Sequence, residues 1–255
     1  MSGRLILVPN TLDHGTLPSG TPPPDLREVL PQGVIETAAR LRHWICEDAK
    51  TTRGFLKRVG ALAPLSAPLQ ALDIRELPRP PKGRTPDPAP DLRPLLAAAA
   101  SGADIGLISD AGLPGVADPG ASVVAAAHDL GIAVVPLAGP SSLLLALAAS
   151  GLNGQCFAFV GYVPQDGATQ ARRLRELEAL SRQLGQTQLM IETPYRNASL
   201  LRALLEVLAP TTRLSIGCGL TLPGGWSRTA SVAQWRREPV ELPTDRPAVF
   251  LLLAA

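Results

Sequence analysis

Short runs of β-branched and other large apolar residues recur along this chain, and nearly every one is followed by a stretch with helical periodicity. RLILVP (4–9) precedes a helix expected near 31–41, and HWIC (43–46) precedes one near 51–59. A helix over 91–101, a strand DIGLIS (104–109), a helix over 119–131 and a strand IAVVPLA (132–138) follow. Such alternation predicts a helix-flanked, parallel sheet of the α/β class. Beyond Ala138 the pattern restarts: a helix over 141–151, FAFVGYV (157–163), a helix over 171–185, QLMIE (188–192), a helix over 197–209, RLSIGCGL (213–220) and AVFLLLA (248–254). The second half therefore builds a sheet of its own. The expected organisation is two α/β domains, 1–138 and 139–255, divided near LAGPSS (137–142), where Gly-Pro permits a sharp change of direction.

Composition narrows the function classes. With 255 residues, 45% of them hydrophobic, the chain can bury two cores. A formal net charge of +2 means that any nucleic-acid contact must come from local patches. Cys46, Cys156 and Cys218 are odd in number and far apart, which speaks against a disulfide framework and for a reducing, cytoplasmic setting. His14, His43 and His128 show no metal-ligand spacing, so no metal is expected. The first apolar run is stopped by Pro9, too short for a signal peptide or a membrane span. The stretch 78–94 holds seven prolines and reads as an extended surface loop.

LISDAGLPGVADPG (107–120) is the most unusual segment. It begins at the carboxyl end of an expected parallel strand, where open α/β sheets form their ligand crevice. Gly112 and Gly115 allow close backbone approach to a ligand. No phosphate-cradling G-x-x-x-x-G-K-[ST] is present, and no lysine or arginine occurs between residues 103 and 134, so a triphosphate would find no cation. A ligand with a cationic centre, an adenosine and no phosphate fits better. Asp118 reads as the cap of the next helix, with Pro119 at its first position and Gly131 at its end. Asp110 reads either as a ligand contact or as an Asx-turn, and Ser141 either as a contact or as a cap.

The ordered motifs CEDAKTTRGFLKRVG (46–60), LISDAGLPGVADPG, VVPLAGPSS (134–142), ALAASGL (146–152), FVGYVP (159–164) and IETPYR (191–196) resemble the tetrapyrrole methylase family of S-adenosylmethionine-dependent methyltransferases. Within that family the similarity is greatest to the branch that methylates a ribose 2′-hydroxyl of small-subunit ribosomal RNA. The resemblance implies a homodimer of two-domain α/β chains with S-adenosylmethionine held between the domains. It implies cofactor contacts at Pro9, Ser109, Asp110, Ala111, Gly112, Gly115, Val116, Ser141, Tyr162 and Thr193. The chain departs from the branch at NTLDHGTLPSGTPPPDL (10–26), LDIRELPRPPKG (72–83), GCGLTLPGG (217–225) and DRPA (245–248). A tetrapyrrole-like or other small-molecule substrate, or a cofactor-binding protein without catalysis, are the alternatives to RNA methylation.

Glu47 and Asp48 follow the second strand at the edge that carries the glycine loop, and they are the candidate catalytic carboxylates; the other reading is a capped helix. Lys50, Arg53 and Lys57 share a helix face, either to grip phosphate or simply to face water. In RRLRELEAL (172–180), Leu174, Leu177 and Leu180 are expected inward. Arg172, Arg173 and Arg175 stand near a helix N-terminus, where cations oppose the dipole unless a polyanion such as RNA is near. Lys50, Arg53 and these three arginines are the candidate substrate contacts. Tyr195 is expected at the edge of a core.

Overall fold

A computed structural model describes residues 2–13, 15–16, 22–78 and 90–254, and the chain divides into two compact units, 1–140 and 141–255. Residues 79–89 of the Pro-rich stretch, and His14, lie outside the described residues.

In the first unit the order is β1 (Arg4–Leu7), α1 (Gln32–Arg40), β2 (His43–Cys46), α2 (Ala49–Gly60), β3 (Asp73–Glu76), α3 (Ala97–Ala100), β4 (Ile105–Ile108), α4 (Ala121–Asp129) and β5 (Ala133–Pro136). The five strands form one sheet in the order β3-β2-β4-β1-β5, and every pairing is parallel. All four residues of β4 are buried, as a central parallel strand covered on both faces requires. One face is covered by a core including Ile35, Leu56 and Trp44, the other by a core including Leu96, Val123 and Ala127. Gly106 of β4 makes the first core possible: a Cβ there would stand 2.7 Å from Trp44 Cε3. Trp44 in turn packs edge-on against Phe55 of α2, with ring centroids 6.5 Å apart.

Two local expectations change, and one strand is added. The helix expected over 91–101 is a 3-10 turn, Arg93–Leu96, continued by the single turn of α3. Asp118 is not the cap of α4, because the helix begins at Ala121 and Gly120, at φ 125°, takes the cap position without a side-chain bond. β3 was hidden by its polar sequence DIRE, which suits a half-exposed edge strand.

The second unit runs α5 (Ser142–Ser150), β6 (Phe157–Tyr162), α6 (Gly167–Leu184), β7 (Thr187–Ile191), α7 (Asn197–Val207), β8 (Arg213–Cys218), β9 (Trp226–Ser231), α8 (Val232–Arg237) and β10 (Ala248–Leu253). Its sheet, β6-β7-β10-β8-β9, is mixed: β6 and β7 are parallel and the other pairings antiparallel. One core lies under α6, α7 and α8, and a smaller one under α5. β9 and α8 carry few large apolar residues and escape a periodicity reading, although Ser231 and Gln234 form a reciprocal capping box at the start of α8.

In α6, Leu174 and Leu177 are fully buried, but Leu180 is exposed. The inward position one turn on belongs to Ser181, whose Oγ accepts from the Ala254 amide at 3.0 Å. Glu178 is also buried and binds the Ala209 amide (2.8 Å) and the Thr212 hydroxyl, tying α6 to the turn before β8.

Candidate functional site

The strand order of the first sheet fixes where a ligand can sit. From β1 the chain passes over β4 to reach β2, and from β4 it passes over β1 to reach β5, so the two connections leave in opposite directions. Between the carboxyl ends of β1 and β4 this reversal opens a crevice, the position at which open α/β sheets bind ligands. The segments leaving the two strands lie side by side. The Val8 amide donates to Leu107 O at 2.8 Å, and Asn10 Nδ2 donates to Ser109 O (3.2 Å) and Asp110 O (3.1 Å).

The loop Ser109–Gly120 holds four residues at positive φ: Gly112 (68°), Gly115 (78°), Ala117 (64°) and Gly120 (125°). Gly112 does not present free backbone to a ligand, contrary to the sequence reading. Its carbonyl accepts from the Asn10 amide at 2.9 Å, and its amide donates to Thr11 O at 3.4 Å. The residue is glycine because of its left-handed conformation, and because a Cβ would press on Leu12 at 3.3 Å. Pro9 is buried, Ala111 half-buried and Val116 exposed. Ser109 is 2% exposed, and among the described residues its Oγ has no hydrogen-bond partner, an uncompensated buried polar atom.

Three carboxylates gather at this edge. Glu47 Oε1 accepts from the Asp110 amide at 3.3 Å. Asp118 is pushed up to about 7, chiefly by burial and then by the charges of Glu47 and Asp110. No lysine or arginine occurs in 103–134, so the loop itself brings carboxylates and no cation to this edge. Asp48 has a different task. It is the cap of α2, accepting from the Thr51 amide (2.8 Å) and hydroxyl (3.2 Å), so the structure gives it the capping role that the sequence left open.

Beside the crevice the first unit has an open cavity of about 900 Å³, with Asn10, Asp13 and Asp110 on one wall and α2 on the other. Lys50 and Lys57 line it, whereas Arg53 is exposed outside it. Arg58, half-buried, was not singled out from the sequence. It pairs with Asp13 at 3.0 Å and donates to Thr11 Oγ1 (3.2 Å) and Pro24 O (2.9 Å), while Thr11 Oγ1 also donates to Asp13. This network anchors the β1 loop to α2. Nothing short of its fold announces it, since Asp13 and Arg58 are 45 residues apart.

In the second unit, Ser141 occupies the cap position of α5, buried and without a side-chain cap bond. Tyr162, at the end of β6, is 60% exposed. Thr193 donates its amide (2.8 Å) and hydroxyl (3.3 Å) to Glu192, which also pairs with Arg196. Tyr195 is 70% exposed and so does not lie at a core edge. Arg172 and Arg175 are exposed, and Arg173 pairs with Glu176 at 3.4 Å. Because α6 begins at Gly167, capped by Asp166, these arginines fall beyond its first turn, where the dipole no longer acts strongly on them. Among the described residues there is no cluster of metal-ligating side chains, and no helix long and apolar enough to cross a membrane.

Comparison with known proteins bears on the family and the fold. A ribosomal RNA small subunit methyltransferase I from Mesorhizobium japonicum is 36% identical over 187 residues, 73% of this chain and 57% of that protein. A protein of the same name from Bacillus subtilis is 42% identical over 108 residues, 42% of this chain and 36% of that one. The chain thus spans about half or less of these relatives' length. The crystal structure of a uroporphyrin-III C-methyltransferase from Thermus thermophilus, complexed with S-adenyl homocysteine, shares the fold with a TM-score of 0.54 at 19% identity, covering 98% of this chain and 97% of that one. A model of the tetrapyrrole (corrin/porphyrin) methylases matches residues 30–232, and this chain belongs to that family.

Proposed function

We propose that the chain is an S-adenosylmethionine-dependent methyltransferase whose acceptor is a ribose 2′-hydroxyl of small-subunit ribosomal RNA. The observation that carries the cofactor reading is the switch-point edge itself: a buried Ser109 hydroxyl without a partner beside three carboxylates, with no cation on the loop. When bound, the cofactor supplies a methyl group on a positively charged sulfur that leaves as a neutral thioether. Ser109 would meet a polar group of the ligand, and Pro9, Ala111, Gly115 and Val116 would bound its pocket. Glu47, Asp110 and Asp118 would favour the positive charge.

RNA as acceptor is supported by the relatives' names and by the cations beside the crevice, Lys50 and, farther out, Arg53. Exposed Arg172 and Arg175, with Arg173, are the second unit's proposed phosphate contacts. A ribose hydroxyl is a poor acid, so the residues must align it and receive its proton. Glu47 is the proposed acceptor of that proton, because Asp48 is committed to the first turn of α2. Calorimetry with S-adenosylhomocysteine, followed by transfer of a labelled methyl group to an in vitro transcript of small-subunit ribosomal RNA, tests both halves. The expected product carries the label on a ribose. Absence of ligand heat overturns the cofactor assignment, and ligand binding without transfer to the transcript overturns the RNA assignment.

A further inference from the structure

Gly54 sits in the middle of α2, where glycine weakens a helix relative to alanine, yet nothing among the described residues requires it there. Its φ is not positive, and a Cβ added to it would meet no atom within 4 Å. Its place on the helix is informative. Lys50, Gly54 and Lys57 stand at i, i+4 and i+7, on one face, and all three line the 900 Å³ cavity. Arg58 lines it as well but is tied to Asp13, Thr11 and Pro24. Lys50 and Lys57 are exposed, and among the described residues neither has a carboxylate within ion-pairing distance. Lys50 lies in the first turn of α2, whose end is already capped by Asp48 and by Glu76, which accepts from the Ala49 amide at 2.8 Å, so the attraction for a phosphate on this face comes from the two lysine side chains.

We propose that this face of α2 is a contact strip for the sugar–phosphate backbone of the RNA, with Lys50 and Lys57 each taking a phosphate and Gly54 leaving room for the intervening sugar against the helix backbone. The inference rests on the RNA reading above and adds the residues that hold the strand. Seven helical residues rise about 10 Å, a separation that two lysine side chains can close onto phosphates on either side of one nucleotide. A mid-helix glycine facing such a ligand has a reason that packing among the described residues does not supply: close backbone approach. The Arg58–Asp13–Thr11 network fixes the facing wall, and through Asn10 it is continuous with the glycine loop.

The test compares Gly54→Ala, the double variant Lys50→Gln/Lys57→Gln, and Arg40→Gln as a control on α1, in the full chain. Three quantities are read for each: thermal midpoint, S-adenosylhomocysteine affinity, and affinity for an in vitro transcript of small-subunit ribosomal RNA at several salt concentrations. Gly54→Ala is expected to raise the thermal midpoint, leave the S-adenosylhomocysteine affinity unchanged and weaken RNA binding at least fivefold, a combination that a structural role for Gly54 does not produce. The double variant is expected to flatten the salt dependence of log Kd by about 0.7 for each lysine. RNA binding by Gly54→Ala equal to the parent's, or an unchanged salt slope in the double variant, overturns the strip while leaving the methyltransferase reading intact. A parent that binds S-adenosylhomocysteine but not the transcript overturns the RNA reading and the strip together.

Discussion

Asp118 offers a quantitative test of the acidic edge. Its carboxyl moves from an ordinary value of 3.8 to about 7, by burial first and by the neighbouring charges of Glu47 and Asp110 second. The native state therefore holds a proton that the unfolded chain has released anywhere between those two values. Stability falls as pH rises through that window, because deprotonation costs more in the folded protein. The sign is opposite to that of a salt-bridged aspartate, whose stabilising effect is lost on acidification. At about 1.4 kcal/mol for each pH unit separating the two values, the full cost is on the order of 4 kcal/mol. Solvent reaches this half-buried group, and screening reduces the expected figure to about 2 kcal/mol.

Asp118→Asn keeps the shape and removes the charge. The variant and the parent are expected to unfold with the same free energy near pH 3.5, where both side chains are neutral. The variant should then become more stable than the parent as pH rises above 4, and reach by pH 8 a constant advantage of about 2 kcal/mol. Urea unfolding of the ligand-free protein at half-unit pH steps measures the gap. A gap that is flat with pH, or that closes as pH rises, would refute the raised Asp118 carboxyl, and with it the burial of this group beside Glu47 and Asp110.

Two further substitutions examine the scaffold. Ala117, at φ 64°, holds a left-handed conformation that glycine adopts without strain, so Ala117→Gly is expected to raise stability by about 1 kcal/mol in chemical unfolding. Gly106→Ala would place a methyl group 2.7 Å from the Trp44 ring inside the core, and is expected to cost about 1–3 kcal/mol, with the near-ultraviolet dichroism of the tryptophans altered.

The parallel sheet of the first unit was legible because its central strands are buried on both faces and read as continuous apolar runs, such as IGLI in β4 and HWIC in β2. Edge strands answer to weaker rules. DIRE and WSRTAS became strands through pairing with β2 and β8, a long-range condition that no local window contains. The site divided along the same line. The glycine loop and Glu47 are contiguous with strands and could be placed on the carboxyl edge from sequence. The Asp13–Arg58 pair and the approach of Asn10 to Ser109 depend on which loops the strand order brings together. Leu180 is exposed because a shift of one residue in helix phase decides which side chain faces inward, and Ser181 takes that place through its bond to Ala254; Tyr195 is exposed in the short 3-10 turn Pro194–Arg196 that precedes α7.

Gly112 shows why that distinction governs the choice of experiment. From the sequence, Gly112→Val is a variant that blocks a ligand in a folded protein. In the structure both backbone groups of Gly112 bind the β1 loop and its φ is 68°, so a valine would strain the turn before any ligand arrived, and lost binding would be uninformative. Ser109→Ala is the discriminating variant. The Ser109 hydroxyl is buried without a partner, and leaving such a group unpaired costs about 1–3 kcal/mol, so its removal is expected to leave the ligand-free protein as stable as the parent or more so. If the cofactor supplies the missing partner, the same substitution forfeits a hydrogen bond of about 0.5–1.5 kcal/mol on binding, which weakens S-adenosylhomocysteine affinity roughly two- to tenfold. Thermal unfolding and calorimetry on one preparation read both quantities. Equal affinity in parent and variant would mean that the hydroxyl faces no ligand, and would remove Ser109 from the cofactor site.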